Sequence, residues 1–190
     1  MTVRIYATLK FMNLRVGSPG SRIVVRALAG LQAGTLGGLV MLAWFALHSM
    51  TQNQSWFAVP NLLASTFYGD AAFRSGFGRV TLAGGALHLC ASAAVGVLYG
   101  LFFPDRQSPT RLLLTGMLVG LAWYYVCYGA FWKFVNPLVP LYSSERTMVI
   151  AHVFFGACLG LSRRFLCALE SPSALPPEPA IVDGSSFPLE

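Results

Sequence analysis

Charge is scarce in this chain: seven Asp and Glu and 13 Lys and Arg among 190 residues leave only 11% of positions charged. A soluble domain of ordinary composition carries roughly 25%, so too few charges are present to cover a water-facing surface. Cysteine is also sparse. Cys90, Cys127 and Cys158 sit inside apolar runs and Cys167 just beyond the last one, a spacing that matches neither a disulfide framework nor a zinc site. The formal charge of +6 and pI near 9.5 would suit nucleic acid only if the basic residues formed one face. They flank apolar stretches instead, so no nucleic-acid partner is expected. Before the first long apolar run there is no short one closed by a small-residue cleavage site, and no cleaved signal peptide is expected.

What the chain has in abundance is apolar sequence, 55% of residues, with a mean hydropathy of +0.61. A helix crossing the hydrocarbon core needs about 20 apolar residues. Runs of that kind predict spans at about 27–48, 80–103, 112–132 and 147–164. The fourth is short, but it is bracketed by Arg146 and Arg163, whose stems can stay in lipid while the guanidinium reaches the headgroups. The reading is an all-α integral membrane protein with a four-transmembrane-helix bundle over residues 23–167. A basic segment, 1–22, precedes it, and a Pro-rich, disordered tail, 168–190, follows.

Orientation follows from the retention of Lys and Arg on the cytoplasmic side during insertion. Arg4, Lys10, Arg15, Arg22, Arg26, Arg106, Arg111, Arg163 and Arg164 fall on one side, and Arg74, Arg79, Lys133 and Arg146 on the other. Both termini are therefore expected in the cytoplasm, the layout of a bacterial inner-membrane protein. Trp56 and Trp132 then fall at the outer surface as interface anchors. Ser18-Pro19 and Ser108-Pro109 read as N-cap and first-turn pairs, and a short interfacial helix is expected after Pro60.

The two helical hairpins share landmarks. Each opens on Ser-Pro, each outer loop carries a Trp followed by Phe, Val, Pro and Asn, and each returning helix has an early histidine followed by small residues at four-residue steps. Such hairpins would be parallel repeats about an axis along the membrane normal. Helices rich in Gly and Leu also produce this recurrence by chance, and the sequence leaves both readings open.

Glycines four apart lie on one helix face and let backbones meet closely in lipid. The helix-packing rows are Gly30, Gly34 and Gly38; Gly96 and Gly100; Gly116 and Gly120; and Gly156 and Gly160. These rows serve packing within the bundle, or contact with other membrane subunits or a second copy. Gln32, Thr35, Ser92 and Thr115 are expected to supply hydrogen bonds between helices.

His88 and His152 are the ionisable groups deep within the spans, and such groups are functional hypotheses by default. They are expected at similar depth, beside Tyr124 and Tyr128 of the third span. One reading is structural: each histidine bonds a tyrosine hydroxyl of that span. Another makes them axial ligands of a b-type haem. A third is a small channel or carrier that uses a polar cluster of Gln32, His88, Ser92, His152, Tyr124 and Tyr128. No Ser/His/Asp or Cys/His arrangement and no metal site is expected, so no catalytic residue is assigned. The first expectation is a non-enzymatic accessory, assembly or interaction component with the bilayer as its surroundings.

Overall fold

The computed structural model of the chain describes residues 19–102 and 108–170. Within them the chain is all-helical, and four helices are long and apolar enough to cross a bilayer. In order they are α1 (Pro19–Thr51), α2 (Ala58–Tyr68), α3 (Ala71–Arg74), α4 (Arg79–Phe102) and α5 (Pro109–Val126). A π-helical segment (Cys127–Phe131) continues α5 into α6 (Trp132–Val135), and α7 (Leu138–Tyr142), α8 (Glu145–Leu159) and α9 (Ser162–Glu170) complete the chain. The four expected spans fall on α1, α4, α5 with the π-helical segment, and α8 with the start of α9.

The helix ends follow local chemistry. Ser108 caps α5 from an extended conformation, its Oγ accepting from the Arg111 N–H at 3.4 Å, and Pro109 supplies the preset first turn. Ser18, the corresponding residue before α1, lies outside the described residues, as do 1–17 and 171–190 of the expected terminal segments. Asn53, at φ 56°, takes the left-handed conformation that turns the chain after α1. At the far end, α9 runs through Glu170, three residues into the stretch expected to be tail.

α1 lies at the centre. It packs along α4 on one side and α8 on the other, α8 in turn carries α5, and α9 folds back against α1. The row therefore reads α4, α1, α8, α5. The backbones of α4 and α5 scarcely approach each other; Tyr99 of α4 reaches α5 at Leu112 near their connected ends, and the bundle is open beyond that contact.

Both hairpins close by the same backbone contact. A Cβ added at Gly30 would overlap the carbonyl oxygen of Gly96, and one added at Gly96 would overlap that of Gly30; Gly116 and Gly156 stand in the same reciprocal relation. Each glycine Cα thus faces the carbonyl of its partner, the arrangement of interhelical Cα–H···O contacts, worth about 0.5–1 kcal/mol each. Around these seams the core gathers Met41 and Phe45 of α1, Val95 and Tyr99 of α4, Tyr124 of α5, and Met148, Ala151, Phe155 and Leu159 of α8.

The connection between α1 and α4 is more built than an interfacial helix. α2 starts at Ala58, before Pro60, and buries Pro60 through Ser65. Its backbone rests on α4 at Gly84, where a Cβ would lie 2.8 Å from the Pro60 carbonyl carbon. Asn61, buried at the centre, donates to the carbonyls of Ala72 and Ser75 at 3.2 and 2.9 Å and accepts from Thr81 Oγ1 at 2.7 Å. Asn136, at the matching place in the second loop, donates to Ser65 Oγ at 2.8 Å and Thr66 Oγ1 at 3.1 Å. The two outer loops are thereby tied together.

Candidate functional site

The open side of the bundle leads into a cavity of about 260 Å³. Phe45 and Met41 of α1 and Phe155 of α8 form its back wall, Val59, Leu63 and Val139 of the outer helices its roof, and the facing sides of α4 and the π-helical segment its mouth. The mouth residues Leu98 and Phe131 are 52% and 47% exposed, and Ala91 and Ala94 beside them are exposed as well. Among the described residues, no Asp, Glu, Lys or Arg lines the cavity.

His88 and His152 both line it, with Ser92 one turn beyond His88. Their common height can be read from α1. Gly37 of α1 meets Phe155, and Gly38 meets Ser92. His152 lies three residues before Phe155 and His88 four before Ser92, on helices running opposite to α1, so each lies about one turn, roughly 5.4 Å, further along it.

Each imidazole is fixed by a backbone carbonyl. His88 Nε2 donates to Gly38 O on α1 at 3.1 Å, and His152 Nδ1 donates to Met148 O of its own helix at 2.8 Å. A carbonyl can only accept, so in the neutral ring those nitrogens carry the hydrogen and the other nitrogen of each keeps a lone pair. Among the described residues no buried side-chain nitrogen or oxygen lacks a partner. Among the described residues His88 Nδ1, His152 Nε2 and Ser92 Oγ take no protein hydrogen bond; Ser92 Oγ lies against Gly38 of α1.

The tyrosines do not serve the histidines as expected. Tyr124 OH donates to Glu145 Oε1 at 3.3 Å, and Tyr128 OH is placed by the carbonyls of Pro140 and Ser143 at 3.0 and 2.9 Å. Hydroxyls directed to the outer end of the bundle cannot also cap imidazoles a turn deeper. What Tyr124 gives His152 is an edge-on ring contact, centroids 5.5 Å apart. Gln32 is half-buried and is not part of the cavity wall. The expected polar cluster thus divides: His88, Ser92, His152 and Tyr128 share the cavity, Tyr124 packs behind it, and Gln32 stands apart.

Of the residues expected to bond between spans, Thr115 meets Tyr99 of α4, and the other such bonds come from residues other than Gln32, Thr35 and Ser92. Trp44 Nε1 donates to Thr147 O at 3.2 Å, His48 Nε2 meets Thr147 Oγ1 at 3.0 Å, Arg26 Nε donates to Gly100 O at 3.1 Å, and Tyr99 OH donates to Leu112 O at 3.0 Å. Thr115 also bonds back to the carbonyls of Arg111 and Leu112 on its own helix, as threonine hydroxyls within a helix commonly do. All nine glycines of the expected rows make their close contacts inside the chain.

Of the two tryptophans expected as anchors, Trp56 is 49% exposed and packs on Phe77, ring centroids 5.0 Å apart. Trp132 is half-buried, packs against the Leu62, Leu63 and Val139 cluster of the outer helices, and reaches the cavity. It sits directly after the π-helical segment, whose Cys127, Tyr128 and Phe131 also line the cavity. Nothing in the residue types of this stretch announces a π turn. Such turns are frequent at functional sites because they re-aim side chains within a helix.

No group of three or more His, Cys, Asp or Glu among the described residues could hold a metal ion. Comparison of the chain with family models, with curated proteins and with solved structures finds no match to any of them.

Proposed function

We propose that this chain is a non-enzymatic, four-span inner-membrane protein, both termini cytoplasmic, that holds a small amphiphilic molecule drawn sideways from the bilayer. The observation that carries the reading is the mouth between α4 and the π-helical segment. It gives an apolar cavity a side opening, and His88, Ser92 and His152, whose Nδ1, Oγ and Nε2 take no protein hydrogen bond, are among the lining residues. Convergent polar groups in an otherwise apolar concavity are the pattern of a small-molecule site.

The membrane setting is supported by the outward faces. Leu82, Leu98, Leu114 and Leu118 are exposed by 64, 52, 61 and 65%, an apolar surface that suits lipid and is costly in water. The same glycine contacts in both hairpins support two parallel repeats. They do so with Ser92, not His88, as the counterpart of His152, since Ser92 O meets Gly34 as His152 O meets Gly120. A role as an accessory or assembly component is compatible with holding an amphiphile; a partner would have to dock on surfaces other than the glycine rows, which are occupied within the chain.

Native mass spectrometry of the full chain extracted gently from its membrane tests the proposal. A neutral adduct on the wild type that is lost from Ala94→Phe, which fills the mouth, supports it; adducts equal in the two proteins overturn it.

A b-type haem between His88 and His152 draws on the same pair of lone pairs, because a ligating histidine commonly commits its other nitrogen to a carbonyl. Volume weighs against it: a cavity of about 150 Å³ accepts benzene, so about 260 Å³ suits one substituted ring and not a tetrapyrrole. An absorption spectrum decides. A Soret band lost in His88→Ala supports haem, and a featureless visible region removes it.

A further inference from the structure

We infer that the molecule held in this cavity carries a hydroquinone-type head, an aromatic ring with two hydroxyl groups, on an apolar tail. The inference rests on the binding role proposed above and names the class of its ligand. Three features of the wall point to it.

The first is the sense of the hydrogen bonds on offer. With Nε2–H of His88 committed to Gly38 O and Nδ1–H of His152 committed to Met148 O, the nitrogen that each of these two cavity-lining imidazoles has left to offer is an acceptor. Both are complemented by O–H donors, and two lone pairs call for two hydroxyls. An ether, an ester or a hydrocarbon leaves both unmatched, and an unmatched buried polar group costs the full desolvation of that group. Ser92 Oγ, which can donate or accept, meets a hydroxyl oxygen in either role.

The second is charge. Among the described residues no cation lines the cavity to receive a carboxylate or phosphate and no carboxylate to receive an amine, so the wall offers ionic lipid heads no counter-charge. The third is shape. Phe45, Trp123, Tyr128, Phe131, Trp132 and Phe155 surround the space, and aromatic walls favour an aromatic head by offset and edge-on contacts. A volume of about 260 Å³ takes one substituted ring, while the mouth at Ala94, Leu98 and Phe131 gives the tail an exit toward lipid.

The test uses the full chain in detergent and two probes of matched shape, an alkyl hydroquinone and its dimethyl ether. Binding is read from the quenching of the Trp123 and Trp132 emission. The hydroquinone is expected to bind at least tenfold more tightly than the ether, about one buried hydrogen bond's difference. In His152→Phe that preference is expected to shrink several-fold while ether affinity changes little. Because the two-probe comparison is made on the wild type, it stands even if the variant fails to fold. Equal affinity for both probes, with both lost in Ala94→Phe, overturns the hydroquinone assignment and leaves the cavity reading in place. Absence of binding by either probe, together with no native adduct, overturns both.

Discussion

The carbonyl of Ser92 on α4 and the carbonyl of His152 on α8 do the same job in two different hairpins: one rests on Gly34 of α1, the other on Gly120 of α5. Polar groups that the sequence aligns as His88 with His152 are thus offset by one turn in the packing. The offset places one histidine at the seam of its hairpin and the other a turn beyond, and both end up on the wall of the shared cavity. Four predictions follow from this arrangement and from the contacts around it.

Filling the seams should destabilise the bundle. A Cβ at Gly96 would lie 2.6 Å from Gly34 Cα and one at Gly156 2.6 Å from Met117 Cα, both against backbone that cannot swing aside. Gly96→Val and Gly156→Val are each expected to cost about 1–3 kcal/mol in denaturant titrations of the detergent-solubilised protein. Gly85, with nothing near its Cβ position, is the control: Gly85→Ala should be neutral or stabilising by up to about 1 kcal/mol. Equal behaviour at Gly85 and Gly96 would remove the seams from the account.

Thr81 and Asn61 should be coupled. Their 2.7 Å bond joins α4 to the α2–α3 connection, so a double-mutant cycle of Thr81→Val and Asn61→Ala should give a coupling of about 0.5–1.5 kcal/mol. Additive losses would mean that the two side chains act independently.

The π-helical segment is expected to be needed for the cavity and not for the fold. Deleting Gly129, which meets nothing at its Cβ position, removes the extra residue of a π turn and should restore a plain helix. Helical content by circular dichroism should persist, while Cys127, Tyr128 and Phe131 are re-aimed and probe binding falls at least tenfold. Retained affinity would show that this wall does not shape the site.

Topology gives a separate check. In a background without native cysteines, impermeant maleimide should modify Thr2→Cys and Ser185→Cys from one side of the membrane and Gln54→Cys, exposed after α1, from the other. Labelling of Thr2→Cys and Ser185→Cys from opposite sides would contradict the orientation set by the arginines.

How much of this was legible in the residues themselves depends on range. The spans were, because lipid demands long uncharged runs, and so was the Ser108 cap, a local pattern completed within one turn. The glycine rows were legible as faces. Their partners were not, since a face does not state which helix it meets. The cavity escaped for the same reason: it exists because α4 and α5 are neighbours in sequence yet lie at opposite ends of the row α4, α1, α8, α5. His88 and His152 could be picked out as buried ionisable groups, but the tyrosines assigned to them bond Glu145, Pro140 and Ser143 instead, residues whose proximity depends on how the second loop folds back. Trp132 could be placed at the outer end of its span; its packing against Leu62, Leu63 and Val139 could not, because those partners lie in another loop. Asn61 and Asn136 recurred in the paired loop phrases; their roles as buried loop organisers became visible only once the loops were seen to meet.

The central claim is that the gap between α4 and the π-helical segment admits lipid-soluble molecules to His88 and His152. Quenching of tryptophan emission by an amphiphile brominated along its tail tests it most directly, because Trp123 and Trp132 line the cavity. The account predicts saturable quenching in the wild type that Ala94→Phe reduces to the level of non-specific collision. Identical, non-saturating quenching in both proteins would show that nothing enters and would contradict it.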